Sequence, residues 1–199
     1  MAVAQTDLRS TTPDRILDAA FTATLDFGLS RLTVEDVAQR AGLSRQTVYR
    51  YFPSKDHLIV ALVSREEEKF LDGVRAAFLE HDTLETAVRE SVRFVLAYAR
   101  AHPLLDRLLG PDEGMFLPYV TTRAQPVIVR AREAMAALLL ERAPDVDVES
   151  LRTILDGTTR ALISYMLTQS DRSDDDIASA MARLLAATLE ERSDREASP

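Results

Sequence analysis

The chain has 199 residues, 46% of them hydrophobic, only six glycines, and a formal net charge of -8. It has no cysteine, which excludes disulfides, thiol catalysis and zinc sites built on Cys. No stretch approaches the ~18 uninterrupted apolar residues of a membrane span, and the opening MAVAQTDLRSTTPD lacks the apolar core of a signal peptide, so the expectation is a cytoplasmic protein with no membrane partner.

Met1 to Thr12 is polar and aperiodic and reads as a mobile arm. Pro13 suits a first helical position, and Ile16, Leu17, Ala20, Phe21, Thr24 and Leu25 follow with helical spacing until Gly28. Thr33 can cap a second, short helix, with Asp36 in its first turn near the positive end of the dipole. Val37, Ala38 and Ala41 form its apolar stripe, and Gly42 ends it in a left-handed turn. Ser44 caps a third helix of about two turns with Val48 and Phe52 facing inward, and Pro53 closes it. Helix, glycine turn and helix make a helix-turn-helix, whose second helix fits a major groove ~12 Å wide.

Ser54 caps a fourth helix running to about Leu79, which links this head to the rest of the chain. A fifth is expected from Thr83 to about Ala101, a short one to Leu109, and a loop over Gly110–Gly114. Pro118 and Pro126 leave a firm helix only from about Pro126 to Arg142. The last two run from Val148 to about Thr168 and from Ser173, capped and acidic in its first turn, until fraying from Arg192. The fold class is therefore all-α with about nine helices. Residues 1–53 form an N-terminal head with the helix-turn-helix and 54–199 a larger helical body. The apolar stripes of the last two helices, including Leu155, Leu162, Met166, Met181, Leu185 and Leu189, are the candidate dimer interface, a four-helix bundle formed with a second copy.

Charge is divided unevenly. Residues 1–60 hold seven Arg/Lys and seven Asp/Glu, so the whole excess of acid lies beyond them. From Gln39 to Lys55 there are four basic residues and no acidic one. An acidic body disfavours non-specific DNA binding, and a locally basic head favours it. The exposed face of the third helix offers Ser44, Arg45, Gln46, Thr47, Tyr49, Arg50 and Tyr51 to base edges or phosphates. Arg45 has the geometry to pair with guanine and Gln46 with adenine, while Thr33, Tyr49, Tyr51 and Lys55 flank the groove as phosphate contacts.

The run TVEDVAQRAGLSRQTVYRYFPSKDHL, Thr33 to Leu58, resembles the DNA-binding signature of the TetR family of bacterial transcriptional regulators. The likeness is strong from Ile16 to Leu62 and elsewhere rests on length and helical pattern alone. It implies a homodimer that binds a palindromic operator on double-stranded DNA through its heads and a small-molecule effector through its bodies. Gln46 departs from the small residue often found there, which bears on base preference and leaves the fold unaffected.

His57, His81 and His102 lie in separate segments without metal-ligand spacing, and no catalytic motif is present, so neither a metal, a cofactor nor an enzyme activity is expected. In the body, Phe94, Tyr98, Phe116, Tyr119 and Tyr165 serve equally as core or as the lining of an effector cavity. Arg93 and Arg123 are candidates to meet an anionic head group. The expected effector is hydrophobic, an acyl chain first and a planar aromatic compound or drug second. The remaining alternatives are an activator of the same type, or an all-helical carrier or small enzyme with an incidental helix-turn-helix.

Overall fold

A computed structural model describes residues 11–105, 121–122, 124–168 and 170–196, with side chains as far as residue 187. Eight helices lie wholly within the described residues: α1 (Thr12–Phe27), α2 (Val34–Ala41), α3 (Arg45–Tyr51), α4 (Lys55–Leu79), α5 (Leu84–Ala101), α6 (Gln125–Arg142), α7 (Val148–Leu167) and α8 (Asp174–Glu196), and residues 103–105 are helical as well. The expected arm before Thr11, the short helix to Leu109 and the Gly110–Gly114 loop lie wholly or largely outside them. The helix expected to fray from Arg192 continues to Glu196; no glycine or proline interrupts that stretch.

Local chemistry accounts for the starts and stops. Thr11 and Thr33 each build a reciprocal capping box with the acid three residues on, Asp14 and Asp36. Ser44, Ser54, Thr83, Asp147 and Ser173 accept the backbone N–H three residues later. Gly42 takes φ 65° and closes α2 through bonds to the Ala38 and Gln39 carbonyls, a conformation that glycine adopts without strain.

The helices enclose two cores. In the head, Ile16, Ala20 and Ala23 of α1 meet Leu32, Val37, Ala38 and Val48, and Leu58 and Leu62 of α4 complete the cluster. The head core thus extends two turns beyond residue 53. In the body, Phe78 at the end of α4 packs with Val88, Val92 and Leu96 of α5, Leu138 and Leu139 of α6, Leu151 and Leu155 of α7, and Ile177, Ala182 and Leu185 of α8.

Between the cores lies a seam. Leu29 and Leu104 are buried against Phe21, Leu25 and Ile59. Glu66, buried in α4, accepts from Lys69 Nζ at 2.9 Å and Arg65 Nε at 3.3 Å, and its other oxygen is 3.5 Å from His102 Nε2. The His102 ring stacks on Tyr98 and meets Phe21 of α1 edge-on. One polar side-chain cluster therefore touches head, linker helix and body.

Two of the expected dimer residues are corrected by this packing. Leu155 and Leu185 are each 2% exposed and belong to the protomer's own core, so they cannot also face a second copy. An apolar stripe at helical spacing records only that a face is buried, by whichever partner is nearer. Leu162 and Met181 are half-buried against that core, Met166 is half-buried, and the Leu189 side chain is outside the described set. Leu184 of α8 is 64% exposed.

Candidate nucleic-acid interface

The reading helix α3 is short, and everything that aims it is non-local. Ala38 and Ala41 on α2 and Val48 on α3 are buried in one cluster with Ile16, Ala20 and Leu58, which clamps the helix-turn-helix between α1 and α4. Arg15 of α1 donates from Nη2 to the Ala41 carbonyl at 2.9 Å, satisfying an end group of α2 at the turn. With Val48 fully buried, the opposite face of α3 must point to solvent. There Ser44, Arg45, Gln46, Tyr49, Arg50 and Tyr51 are exposed and Thr47 is half-exposed.

The side chains on this face are partly ordered before any DNA arrives. Ser44 Oγ lies 2.9 Å from Thr47 Oγ1 and accepts the Thr47 N–H at 3.1 Å, so both hydroxyls are held at the α3 N-terminus. The Arg50 guanidinium lies 5.3 Å from the Tyr51 ring centroid. Lys55 donates from Nζ to the Ser30 carbonyl at 3.0 Å, which lays it across the loop before α2. Thr33, the α2 cap, is exposed. His57, in the first turn of α4, has Nδ1 2.8 Å from Ser54 Oγ.

Sequence reasoning missed two acids. Arg40 pairs with Asp26 and lies over the Phe27 ring. Arg45 donates from Nη1 to Glu35 Oε2 at 2.8 Å, with both side chains about two-thirds exposed. The Gln39–Lys55 stretch is free of acid in the chain, yet in space two of its four cations meet carboxylates. A separation of ten residues across a turn leaves no periodic signal; only the crossing of α2 over α3 brings Glu35 to Arg45.

The expected effector residues separate. Phe94 and Tyr98 do come together, joined by Phe70 of α4, with centroids 5.1–6.2 Å apart. Burial first, then the Glu66 carboxylate, pushes the Tyr98 phenol above its ordinary value. Tyr165 packs on the edge of the body core. Arg93, half-exposed, bridges Asp175 of α8 at 3.0 Å and Glu90 at 3.6 Å. Phe116, Tyr119 and Arg123 lie outside the described residues. The α6/α7 surface carries an open polar cleft lined by Arg132, Glu133, Glu149, Arg152 and Asp156 among others. There the Arg152 hydrogen bonds hold the Glu133 carboxyl below its ordinary range. No group of three or more His, Cys, Asp or Glu is placed to hold a metal ion among the described residues, and no helix among them is long and apolar enough to cross a membrane.

Comparison with known proteins agrees with the geometry. Residues 16–62 match the bacterial regulatory proteins of the tetR family, and residues 83–187 match the bacterial tetracyclin repressor C-terminal domain. The chain is 29% identical over 174 residues to the HTH-type transcriptional regulator AlkX of Mycobacterium tuberculosis, covering 86% of this chain and 82% of that one. Over 89 residues it is 33% identical to the nucleoid occlusion factor SlmA of Actinobacillus pleuropneumoniae, 45% of this chain and 44% of that one. Among solved structures it superposes on the TetR family repressor AlkX of Dietzia sp., implicated in biodegradation of n-alkanes, with a TM-score of 0.68 at 29% identity. That match covers 91% of this chain and 96% of the other.

Proposed function

The chain belongs to the tetR family of bacterial regulatory proteins and is a DNA-binding transcriptional regulator, and from that premise we propose that it is a homodimeric repressor released from a palindromic operator by a hydrophobic small molecule. The observation that carries the DNA half is α3 itself: Val48 is fully buried on one side while Arg45, Gln46, Tyr49 and Arg50 are exposed on the other. Arg45 reads a guanine and Gln46 an adenine; Thr33, Ser44, Thr47, Tyr49, Arg50, Tyr51 and Lys55 hold the phosphates on either side. A seven-residue reading helix gives little contact area by itself, so two copies bind half-sites one or more helical turns apart. The faces of α7 and α8 left by the body core, with Leu162, Met166, Met181 and Leu184, supply the pairing surface.

The effector half has two supports. The AlkX relative is a repressor implicated in n-alkane biodegradation, and the match to this chain runs through the body as well as the head. The body interior is aliphatic with an aromatic layer of Phe70, Phe94 and Tyr98 against α4. An effector with an alkyl or acyl chain fits both. By binding more tightly to a state in which α4 has shifted, it changes the spacing of the two reading helices and lowers operator affinity by that difference.

The test is a duplex selected by the protein from a randomised pool, assayed by fluorescence anisotropy. Arg45→Ala should cost ~1–3 kcal/mol and relax preference at one base pair per half-site; an equal fall on all sequences would make Arg45 a phosphate contact only. Addition of fatty acids and alkanols of graded chain length should release the duplex, with a chain-length optimum. Release by planar aromatics instead would favour the second effector class, and release by neither would leave the body a dimerisation scaffold.

A further inference from the structure

The recognition surface carries an acid that its DNA-binding role leaves unexplained. Glu35 is the second residue of α2, exposed, on the side of the head that meets DNA, and its carboxylate accepts from Arg45 Nη1 at 2.8 Å. The two residues wall an open groove between α2 and α3, floored by Ala38, Gln39 and Leu43. A carboxylate facing phosphates opposes binding to any duplex. What it does for Arg45 is different.

Arginine reads guanine with two coplanar N–H donors directed at O6 and N7. The guanidinium has five such donors in a rigid fork. With one Nη1 hydrogen occupied by Glu35, the plane is tethered at that corner and the donors on its other edges remain available. A tethered arginine has fewer rotamers to lose when it meets a base edge. The tether also discriminates against wrong duplexes. An Arg45 that swings away to a phosphate leaves Glu35 uncompensated beside the backbone, a penalty that sequence-independent binding incurs and guanine reading avoids.

We propose that Glu35 is a positioning residue for Arg45, a carboxylate that holds the guanidinium in the base-reading orientation and withholds it from phosphates, and so sets the sequence specificity of DNA binding. The inference rests on the reading of Arg45 as a base contact, and the experiment separates the two. The full-length wild-type protein selects a duplex from a randomised pool. Its affinity for that duplex, for every single-base variant and for random-sequence duplex is then measured across a salt series for wild type, Glu35→Gln, Arg45→Ala and the double variant.

Glu35→Gln should lower discrimination at the Arg45 base pair by roughly three- to tenfold, part of the full value of a bidentate contact. It should also raise affinity for random duplex and steepen the salt slope there by ~0.9 for each phosphate newly reached by a freed Arg45. In the Arg45→Ala background, Glu35→Gln should change no base preference. Glu35→Asp, which keeps the charge and draws the carboxylate back by one methylene, should lose discrimination as Glu35→Gln does while random-duplex affinity stays near wild type. Because Glu35 is about two-thirds exposed, each variant should retain the wild-type melting profile. Discrimination within twofold of wild type in both Glu35 variants, with Arg45→Ala still abolishing it, would overturn the proposal alone. Unchanged discrimination in Arg45→Ala would overturn the base-reading role of Arg45 and the proposal with it.

Discussion

Gly73 sits in the middle of α4, where a glycine ordinarily weakens a helix, and replacing it by alanine in an isolated helix would stabilise by ~0.8–1 kcal/mol. The structure reverses that expectation. A Cβ built on Gly73 falls 2.7 and 2.9 Å from Cε1 and Cε2 of Phe94 and nearer still to its Cζ, so the ring rests directly on the α4 backbone. Gly73→Ala therefore has to displace a ring that stacks on Phe70 and Tyr98. Overpacking of this kind costs about 1–3 kcal/mol, and the disturbance of two aromatic pairs, each contributing ~0.5–1.5 kcal/mol, places this case in the upper part of that range, ~2–3 kcal/mol. Set against the helix gain, the expected net loss is ~1–2 kcal/mol, a fall in Tm of roughly 2–8 °C for a chain of this size. In a Phe94→Ala background the obstacle is gone and Gly73→Ala should stabilise by ~1 kcal/mol, a change of sign that corresponds to a coupling of about 2–3 kcal/mol. Urea titrations followed by circular dichroism, at one fixed protein concentration because the protein is expected to dimerise, measure all four corners of the cycle. Stabilisation by Gly73→Ala in the wild-type background would refute the close approach of α4 and Phe94.

Lys55→Ala should weaken binding to every duplex alike and reduce the magnitude of the salt slope by ~0.9 for the one phosphate that Lys55 neutralises; an unchanged slope in anisotropy titrations would mean that Lys55 serves only the Ser30 carbonyl. Leu184→Glu should yield folded monomers with much reduced operator affinity, read by sedimentation, because Leu184 is exposed on α8, whereas Leu185→Glu places a charge in the protomer core and should unfold the body. The hydroxyl of Ser173, followed by its backbone bond, holds the Asp176 carboxyl below its ordinary value of 3.8. A lowered carboxyl contributes stability above the unfolded pKa and loses it as pH falls through the folded one. The excess stability of wild type over Asp176→Asn should therefore be constant near neutrality and vanish on acidification below that ordinary value; an excess that persists there would place its origin elsewhere.

Much of this fold is written locally. Thr33 with Asp36, Gly42, and Ser44 followed by the Val48 and Phe52 spacing state where each helix of the helix-turn-helix starts, stops and turns its apolar side, because capping, a left-handed glycine and a 3.6-residue period are short-range matters. The exposed face of α3 follows by subtraction, and with it the candidate DNA contacts. The long helices α4, α5, α7 and α8 were legible for the same reason. What covers an apolar stripe was not. Leu155 and Leu185 present to sequence reading the same stripe that a dimer helix would, and only the packing of α5 and α8 in the body assigns them to the protomer's own core. The acids that pair with Arg93 were not legible either: Asp175 reaches it from α8, 82 positions along the chain. Glu35 beside Arg45, and Phe94 on the backbone of Gly73, join residues ten and twenty-one positions apart on different helices. A chain's periodicity encodes which side of each helix avoids water; the angle and distance at which two helices cross, which decide what each avoided side meets, are properties of the assembled core.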